Sequence, residues 1–264
     1  MLNLFNFFVK VLNFKTPKYY VRQPYYRISS VVSKSPIRPF YRGKIMKIIL
    51  KPWCLLAIFH SIYCYKYDQS FELPILRTLV WLSTINNIFI SDKYHNSDLA
   101  PNPSIKLELF YLRCDFTGIS FVLASTNALW SAHFKWNFYF DIISYISTSC
   151  FFIICYISFV CFERGKRCGA NSESSEKIIK LLFGIQYIVC FGYMVFCILQ
   201  TPNCGIYSLT WFLYLPGIIF YVLQWPEDGL LIGAHDVFHI FSLFGNLLSA
   251  WFDVIHTQNA CRLK

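Results

Sequence analysis

The chain has 264 residues, of which 56% are hydrophobic and 14% are charged, and its formal net charge is +10. This composition excludes a typical soluble domain and is typical of a multi-pass membrane protein. Its apolar segments lack the polar alternation of a β-barrel, so the predicted fold is an all-α membrane helix bundle. Eleven Lys and Arg, with no Asp or Glu, lie in residues 1–51, which favours contact with a membrane surface over nucleic-acid binding.

Residues 1–45 form a basic amino-terminal segment. Polar residues spaced 3-4-3 over residues 2–14 make one stripe on an otherwise apolar helix. This short amphipathic helix is predicted to lie in the membrane interface rather than to span the bilayer. Its acid-free continuation also fits an organelle-targeting presequence, which is the alternative interpretation.

Six apolar stretches are long enough to cross a bilayer. They are residues 46–65, 107–131, 137–162, 178–199, 206–223 and 235–256. The predicted membrane domain is therefore residues 46–256, followed by a tail of residues 257–264. Several of the eleven cysteines lie inside these stretches without any Cys-x-x-Cys motif, so they are interpreted as reduced packing residues.

Residues 66–106 separate the first two of these stretches and are predicted to be an insertion outside the bundle. Their apolar run, Thr78–Ile90, is thirteen residues long and is closely flanked by Arg77 and Asp92. A run this short does not span comfortably, so we expect a loop with a short helix.

The loop Glu163–Lys177 carries several basic residues and is placed in the cytosol by the positive-inside rule. Counting spans from this loop puts the starts of the stretches 107–131 and 235–256 on the cytosolic side. The same count puts residues 1–45 on the other side, against their positive charge. The sequence supplies no convincing further span upstream that would resolve this conflict.

His235 and His239 lie four residues apart at the start of the last span. On a helix both imidazoles then share one face and can reach a single metal ion. Ionisable groups are costly in a membrane, which indicates a functional site, although hydrogen bonds to backbone or water are an alternative. His60 joins them if its span runs inward. Three imidazoles and a water would make a tetrahedral zinc site of the catalytic type.

Asp115, near the start of its span, lies at the same predicted depth and is the candidate catalytic residue. It could orient the zinc-bound water and accept its proton, while zinc lowers the pKa of that water. Pairing with Arg113 or capping of the helix start are the alternatives. His133 and His256 fall on the opposite membrane side, and His95 lies in the predicted insertion, so these three are not assigned to the site.

Four short motifs occur in a recognisable order: Phe59–Cys64 (FHSIYC), Cys114–Ile119 (CDFTGI), Trp225–Glu227 (WPE) and His235–His239 (HDVFH). In these motifs the chain resembles the progestin and adiponectin receptor family, which includes the haemolysin III proteins. The resemblance covers roughly residues 46–256. It implies a seven-helix bundle with a cytosolic amino terminus, zinc held by His60, His235 and His239, and Asp115 on the zinc-bound water.

Three features depart from the family pattern. The family has a Ser four residues before its first zinc-binding His, and the corresponding residue here is Leu56. The first family helix is not recognisable in residues 1–45. The link from His60 to Asp115 is far longer than the short turn of the family.

Members of this family act as receptors, some with ceramidase-like hydrolysis of lipid amides, and bacterial relatives are called cytolysins. The predicted function is therefore that of a zinc-binding, receptor-like membrane protein, with zinc-dependent hydrolysis of a lipid amide as its predicted activity. A membrane lipid or lipid-like molecule is the expected ligand. A receptor with purely structural zinc and a pore-forming cytolysin are the alternatives.

The pattern His235-Asp236-x-x-His239 also resembles the His-Glu-x-x-His of zinc proteases, but Asp is shorter than the Glu that serves as the protease base. A protease is therefore less favoured than a lipid hydrolase. The expected location is the plasma membrane or an internal membrane such as that of the endoplasmic reticulum or Golgi.

Overall fold

The computed structural model of the protein describes most of the chain from residue 41 onward. The described residues are 41, 43–68, 70–96, 105–134, 138–161, 178–179, 181–189, 191, 202–223, 225 and 232–262. The predictions for residues 1–40 and for most of the loop 162–177 lie outside them. All regular structure in the described part of the chain is helical, without a β-strand, so the predicted all-α fold is confirmed there.

Six α-helices are delimited within these ranges. They are α1 (Lys44–Tyr65), α2 (Glu72–Asn96), α3 (Ile105–His133), α4 (Phe138–Cys155), α5 (Pro202–Leu223) and α6 (Ala234–Arg262). Helix α4 continues as a π-helix over Tyr156–Cys161. Residues 181–189 form a further helical stretch between α4 and α5. The six stretches predicted to span each overlap one of these helical elements.

Four helices in the described residues are long and apolar enough to cross a membrane. They are α1, α2, the stretch Asp141–Val160 and the stretch Ala234–Asn259 of α6. Large apolar side chains project outward from these helices, as Phe59 (69% exposed), Phe152 (64%) and Trp251 (62%) illustrate. Such faces are suited to lipid, so the fold is that of an integral membrane protein with several spans.

Helix α2 corrects the expectation for residues 66–106. In place of a loop with a short helix outside the bundle, a helix of 25 residues packs against α1 and α3. At 1.5 Å per residue it is ~37 Å long, enough to cross a bilayer. The average hydropathy of this helix understates how apolar its outer surface is, because several of its polar residues are buried inside the bundle. Among them are Arg77, Ser83, Thr84 and Ser91.

Helix α2 bears on the topology conflict of the sequence, because it is long and apolar enough to cross the bilayer. If it does cross, one more span precedes the loop 163–177, and the positive-inside rule then favours the cytosol for both basic regions.

Two glycines allow neighbouring helices to approach closely. A Cβ atom on Gly118 of α3 would lie 2.8 Å from Asn87 Oδ1 of α2, and one on Gly217 of α5 would lie 2.9 Å from Phe241 Cβ of α6. Small residues at such crossings let helices in membranes pack backbone against backbone. The close packing of α2 against α3 and of α5 against α6 therefore depends on these two glycines.

Gly43 precedes α1 and has a φ of 75°, in the left-handed region that favours glycine. A Cβ atom there would lie 2.9 Å from His95 Cβ and 2.7 Å from Asn96 Nδ2. The start of α1 is thus in close contact with the end of α2.

Arg77 joins three parts of the bundle through its guanidinium group. It donates to Asp68, after α1, at 2.6 and 2.9 Å, and to Asp253 of α6 at 2.5 and 3.1 Å. His133, at the end of α3, lies with Nε2 2.7 Å from Asp253 Oδ1. Arg77 and Asp253 are each 1% exposed, so this end of the bundle is held by buried, charge-assisted hydrogen bonds.

We expect Arg77→Met to destabilise the protein strongly, by about 3–5 kcal/mol, because it leaves two buried carboxylates without their shared partner. The stability of Arg77→Lys should lie between that of Arg77→Met and that of the unsubstituted protein, since an ammonium group cannot form both bidentate pairs. Thermal unfolding in detergent measures the effect, with Lys47→Met at an exposed position of α1 as the control. A loss no larger than that of the control would contradict the structural role of Arg77.

The crossing by α2 predicts the sidedness of its two ends. Lys66 and Lys93 are both exposed and flank the helix. A cysteine at position 66 and a cysteine at position 93, placed in separate variants, should react with a membrane-impermeant maleimide added on opposite sides of the membrane. The unsubstituted protein, with its eleven native cysteines, supplies the background. Labelling of both positions from the same side would contradict the crossing.

Candidate metal centre

Three imidazoles meet where α2 ends and α6 begins. His95 lies in the last turn of α2, and His235 and His239 lie in the first two turns of α6. Their Nε2 atoms are 2.8 Å apart for His235 and His239, 2.9 Å for His95 and His235, and 3.1 Å for His95 and His239. All three side chains are buried, so three potential ligand atoms converge on one enclosed point.

Three Nε2 atoms that face one another cannot all be satisfied by mutual hydrogen bonds. The Nε2 atom of a neutral imidazole is either a donor or an acceptor. Among three such atoms at least two have the same character, so at least one contact opposes two lone pairs or two N–H groups. A cation that accepts a lone pair from each nitrogen removes this conflict. The donor set therefore fits a metal ion.

The local sequence explains how α6 presents its two histidines. Asp236 lies in the first turn, is buried, and its Oδ2 accepts a hydrogen bond of 3.0 Å from the Gly233 backbone N–H. This carboxylate caps the start of the helix and complements the positive end of the helix dipole. The acid of the His-Asp-x-x-His pattern thus has a structural contact of its own, unlike the general base of a zinc protease.

Asp115 of α3 is 2% exposed, and its Oδ1 atom has no hydrogen-bond partner among the described residues. Ser91, one turn before His95, connects this carboxyl group to the histidines. Its hydroxyl group is hydrogen-bonded to Asp115 and lies 3.2 Å from His239 Nε2. A buried acceptor without a partner is costly, which suggests that Oδ1 is available to a ligand such as water.

His60 lies elsewhere. Trp81 Nε1 donates to His60 Nδ1 at 3.0 Å, and His60 Nε2 lies 2.9 Å from the Ala250 carbonyl oxygen. An indole N–H can only donate, so Nδ1 accepts and Nε2 carries the proton given to Ala250. Neither nitrogen then offers a lone pair to a metal. Ala250 also lies eleven residues beyond His239 on α6, a separation of ~16 Å along the axis.

The structure therefore brings His95, and not the predicted His60, together with His235 and His239. A sequence signal for His95 did exist. Ser91 lies four residues before His95, which is the pattern that the family resemblance leads one to expect, whereas the residue four before His60 is Leu56. The signal was missed because His95 lies in the segment that was interpreted as an insertion.

A second group of potential ligands consists of His60, Cys64 and Asp253. His60 Nε2 lies 3.7 Å from Cys64 Sγ and 3.4 Å from Asp253 Oδ2. The proton on His60 Nε2 and the Arg77 guanidinium group, 2.5 Å from Asp253 Oδ2, both oppose a cation at this point. This group belongs to the buried ion pairs of the bundle rather than to a metal site.

Comparison with protein families found no matching family model, and a search of curated proteins found no match. The class of the protein accordingly follows from its own fold and site. It is a helical membrane protein with a buried group of three histidines that could bind a metal ion.

The two candidate histidines make opposite forecasts for metal content. His95→Ala should abolish stoichiometric metal, because two imidazoles from one helix remain without a third ligand. His60→Ala should keep it, because His60 contacts Trp81 and Ala250 instead. Elemental analysis of the purified variants is the measurement. Metal retained in His95→Ala and lost in His60→Ala would restore the original assignment.

Proposed function

We propose that the protein binds zinc through His95, His235 and His239 and hydrolyses the amide bond of a membrane lipid. The convergence of three buried Nε2 atoms beside the unpartnered oxygen of Asp115 is the observation that carries this proposal. We further propose membership of the progestin and adiponectin receptor and haemolysin III family, with seven spans and a cytosolic amino terminus. The motifs at Ser91–His95, Asp115 and His235–His239 support it, as does the position of α1 as a first helix.

Zinc is the metal that best suits the donors. It accepts imidazole nitrogen readily, and three histidines that leave a fourth position open are the ligand set of catalytic zinc sites. When bound, zinc would supply a water of lowered pKa and polarise the carbonyl oxygen of an amide. Burial of all three histidines excludes bulk water from the site, which strengthens the electrostatic interactions within it.

Asp115 and Ser91 would carry the protein's part of the reaction. Asp115 Oδ1 is placed to accept a hydrogen bond from the attacking water and then its proton, as a general base does. The proton can subsequently pass from Asp115 to the leaving amine nitrogen. Ser91 interacts with the Asp115 carboxyl group and lies 3.2 Å from His239 Nε2, so it would connect the base to the histidines.

A cavity beside the site supports a lipid as the substrate. It begins at His239 and extends between α1, α2, α3, α5 and α6, with walls that are mainly apolar. Its apolar lining includes Ile88, Ile119, Ile218 and Leu243. An acyl chain that enters this cavity from the bilayer would bring its carbonyl group close to the three histidines.

The proposal predicts a difference between binding and turnover. Asp115→Asn should keep stoichiometric zinc but lower amide hydrolysis by ~100-fold or more, because it removes the proton acceptor and not a ligand. A ceramide reconstituted with the purified protein is the probe, assayed with and without a chelator. Asp92→Asn, at a nearby carboxylate that is bonded to Asn96, is the matched control and should retain activity.

Two outcomes would contradict this role. Equal loss of zinc in Asp115→Asn and His239→Ala would make Asp115 a direct ligand and favour a receptor with structural zinc. Stoichiometric zinc without any hydrolysis by the unsubstituted protein would favour the same receptor function.

A further inference from the structure

Helix α6 carries a polar side chain at every turn of one face. The residues alternate in steps of four and three: His235, His239, Ser242, Asn246, Ser249 and Asp253. Residues at this spacing lie on one side of a helix. Helix α2 carries a comparable series, His95, Ser91, Asn87, Thr84 and Arg77.

The two polar faces are turned toward each other. Ser91 approaches His239 at one end, and Arg77 donates to Asp253 at the other. Fourteen residues separate His239 from Asp253, or ~21 Å of helix. The polar faces therefore cover most of a hydrocarbon layer of ~30 Å.

Two cavities occupy the space between these faces and share two residues. The first is lined by His239, Thr84 and Asn246, and the second by Thr84, Asn246 and Asp253. Thr84 and Asn246 thus connect a space that begins at the metal centre with one that ends at the ion pairs of Arg77. The walls also carry Asn87, Ser242 and Ser249, together with the larger side chains of Trp81, Tyr187 and Tyr214.

The walls of these cavities are mainly apolar, but the polar groups along α2 and α6 can hold water within them. An apolar void stays dry, whereas a buried water needs two to four polar partners. Asn87 Oδ1 is a buried acceptor without a partner among the described residues, and Asn87 lines the first cavity. Thr84 and Ser242 donate their hydroxyl protons to backbone carbonyl oxygens, and Asn246 Oδ1 accepts from Tyr214. The lone pairs of the two hydroxyl groups and the Asn246 amide N–H groups supply further partners within the same space.

The far end of the path holds an excess charge. Asp68 and Asp253 carry two negative charges against the single positive charge of Arg77, and both accept hydrogen bonds from its guanidinium group. His60 is kept neutral by the indole N–H of Trp81. His133 Nε2 lies 2.7 Å from Asp253 Oδ1, so an imidazole stands beside this excess negative charge.

Two further titratable groups surround this charge cluster of Asp68, Arg77, His133 and Asp253. The first is Cys64, whose Sγ atom lies 3.7 Å from His60 Nε2. The His256 ring lies 4.8 Å from the His133 ring and is partly exposed, so it connects the cluster to the surface.

We propose that the protein conducts protons along this path, between the metal centre and the charge cluster. A proton that enters at His256 and His133 would pass by Asp253 into a chain of waters held by Ser249, Asn246 and Thr84. Each water accepts one proton and donates another to the next. One proton leaves near Ser91 for each that enters, so one positive charge crosses per cycle and no oxidant or substrate is consumed.

The same structure disfavours larger cations. The second cavity is narrow, and the fixed charge of Arg77 stands at its end beside Asp253. A hydrated metal cation would have to lose its water shell and pass a guanidinium group, whereas a proton needs only a chain of hydrogen bonds. The conduction consumes no lipid amide, and it uses the first cavity while no acyl chain fills that space.

Proton flux into liposomes tests the proposal. The purified full-length protein is reconstituted with a pH-sensitive dye inside, and K⁺ with valinomycin balances the charge. The unsubstituted protein should collapse a pH gradient faster than protein-free vesicles do. Asn246→Leu, a change of similar volume at a residue that lines both cavities, should lower the flux to the protein-free level. Elemental analysis of the same sample should show unchanged zinc.

A matched pair at Thr84 separates a loss of path from a loss of fold. Thr84→Val keeps the shape but removes the hydroxyl group and should lose the flux, whereas Thr84→Ser should retain it. Phe244→Leu, on the exposed face of α6, is the control and should conduct normally. No flux in the unsubstituted protein would overturn the proposal. A proton flux in Asn246→Leu and Thr84→Val equal to that of the unsubstituted protein would also overturn it. A flux of Na⁺ comparable to that of protons would overturn it as well and would indicate a cation pore.

Discussion

The pairing of Arg77 with Asp253 fixes how α2 and α6 lie against each other, and the rest of the site depends on it. Eighteen residues separate Arg77 from His95 on α2, and eighteen separate Asp253 from His235 on α6. The two helices run in opposite directions, so equal lengths of ~27 Å bring the histidines opposite each other once the ion pair is formed. Lipid offers no hydrogen bonds to a guanidinium or a carboxylate group. An alignment of the two helices that turned both groups toward lipid would therefore be unfavourable. The bilayer therefore selects one alignment, and that alignment assembles the ligands.

Much of the fold could be predicted from hydrophobicity alone, and the failure at α2 has a clear physical cause. Hydropathy averages over all sides of a helix, whereas lipid contacts only one. Arg77 and Ser91 lower the average of α2 although both lie inside the bundle. Whether a polar residue is turned inward depends on its partners, and Asp253 is 176 positions away from Arg77 in the chain. No local pattern contains that information.

The candidate site divides in the same way. The spacing of His235 and His239 is a local property of one helix, so it could be predicted and the structure brings these two residues together. Asp115 was assigned by its depth in the membrane, and Ser91 links it to them. The choice of the third histidine depended on which span ends at the site. Because residues 66–106 were interpreted as an insertion, His60 was chosen instead of His95. The resemblance to the zinc-protease motif also concealed a difference in role, because Asp236 caps its helix at the position where those proteases carry their general base.

Gly43 has a consequence for the tolerance of the chain to change in length. Its φ of 75° and the 2.9 Å that a Cβ atom would leave to His95 constrain this position in two independent ways. An insertion or deletion between Gly43 and α1 would rotate the first helix and displace the end of α2, together with a candidate metal ligand. Tyr41, two residues upstream, also contacts this helix, because its carbonyl oxygen accepts hydrogen bonds from the backbone N–H groups of Lys44 and Ile45. The length of the chain is therefore constrained at the very start of α1, directly beside the histidines.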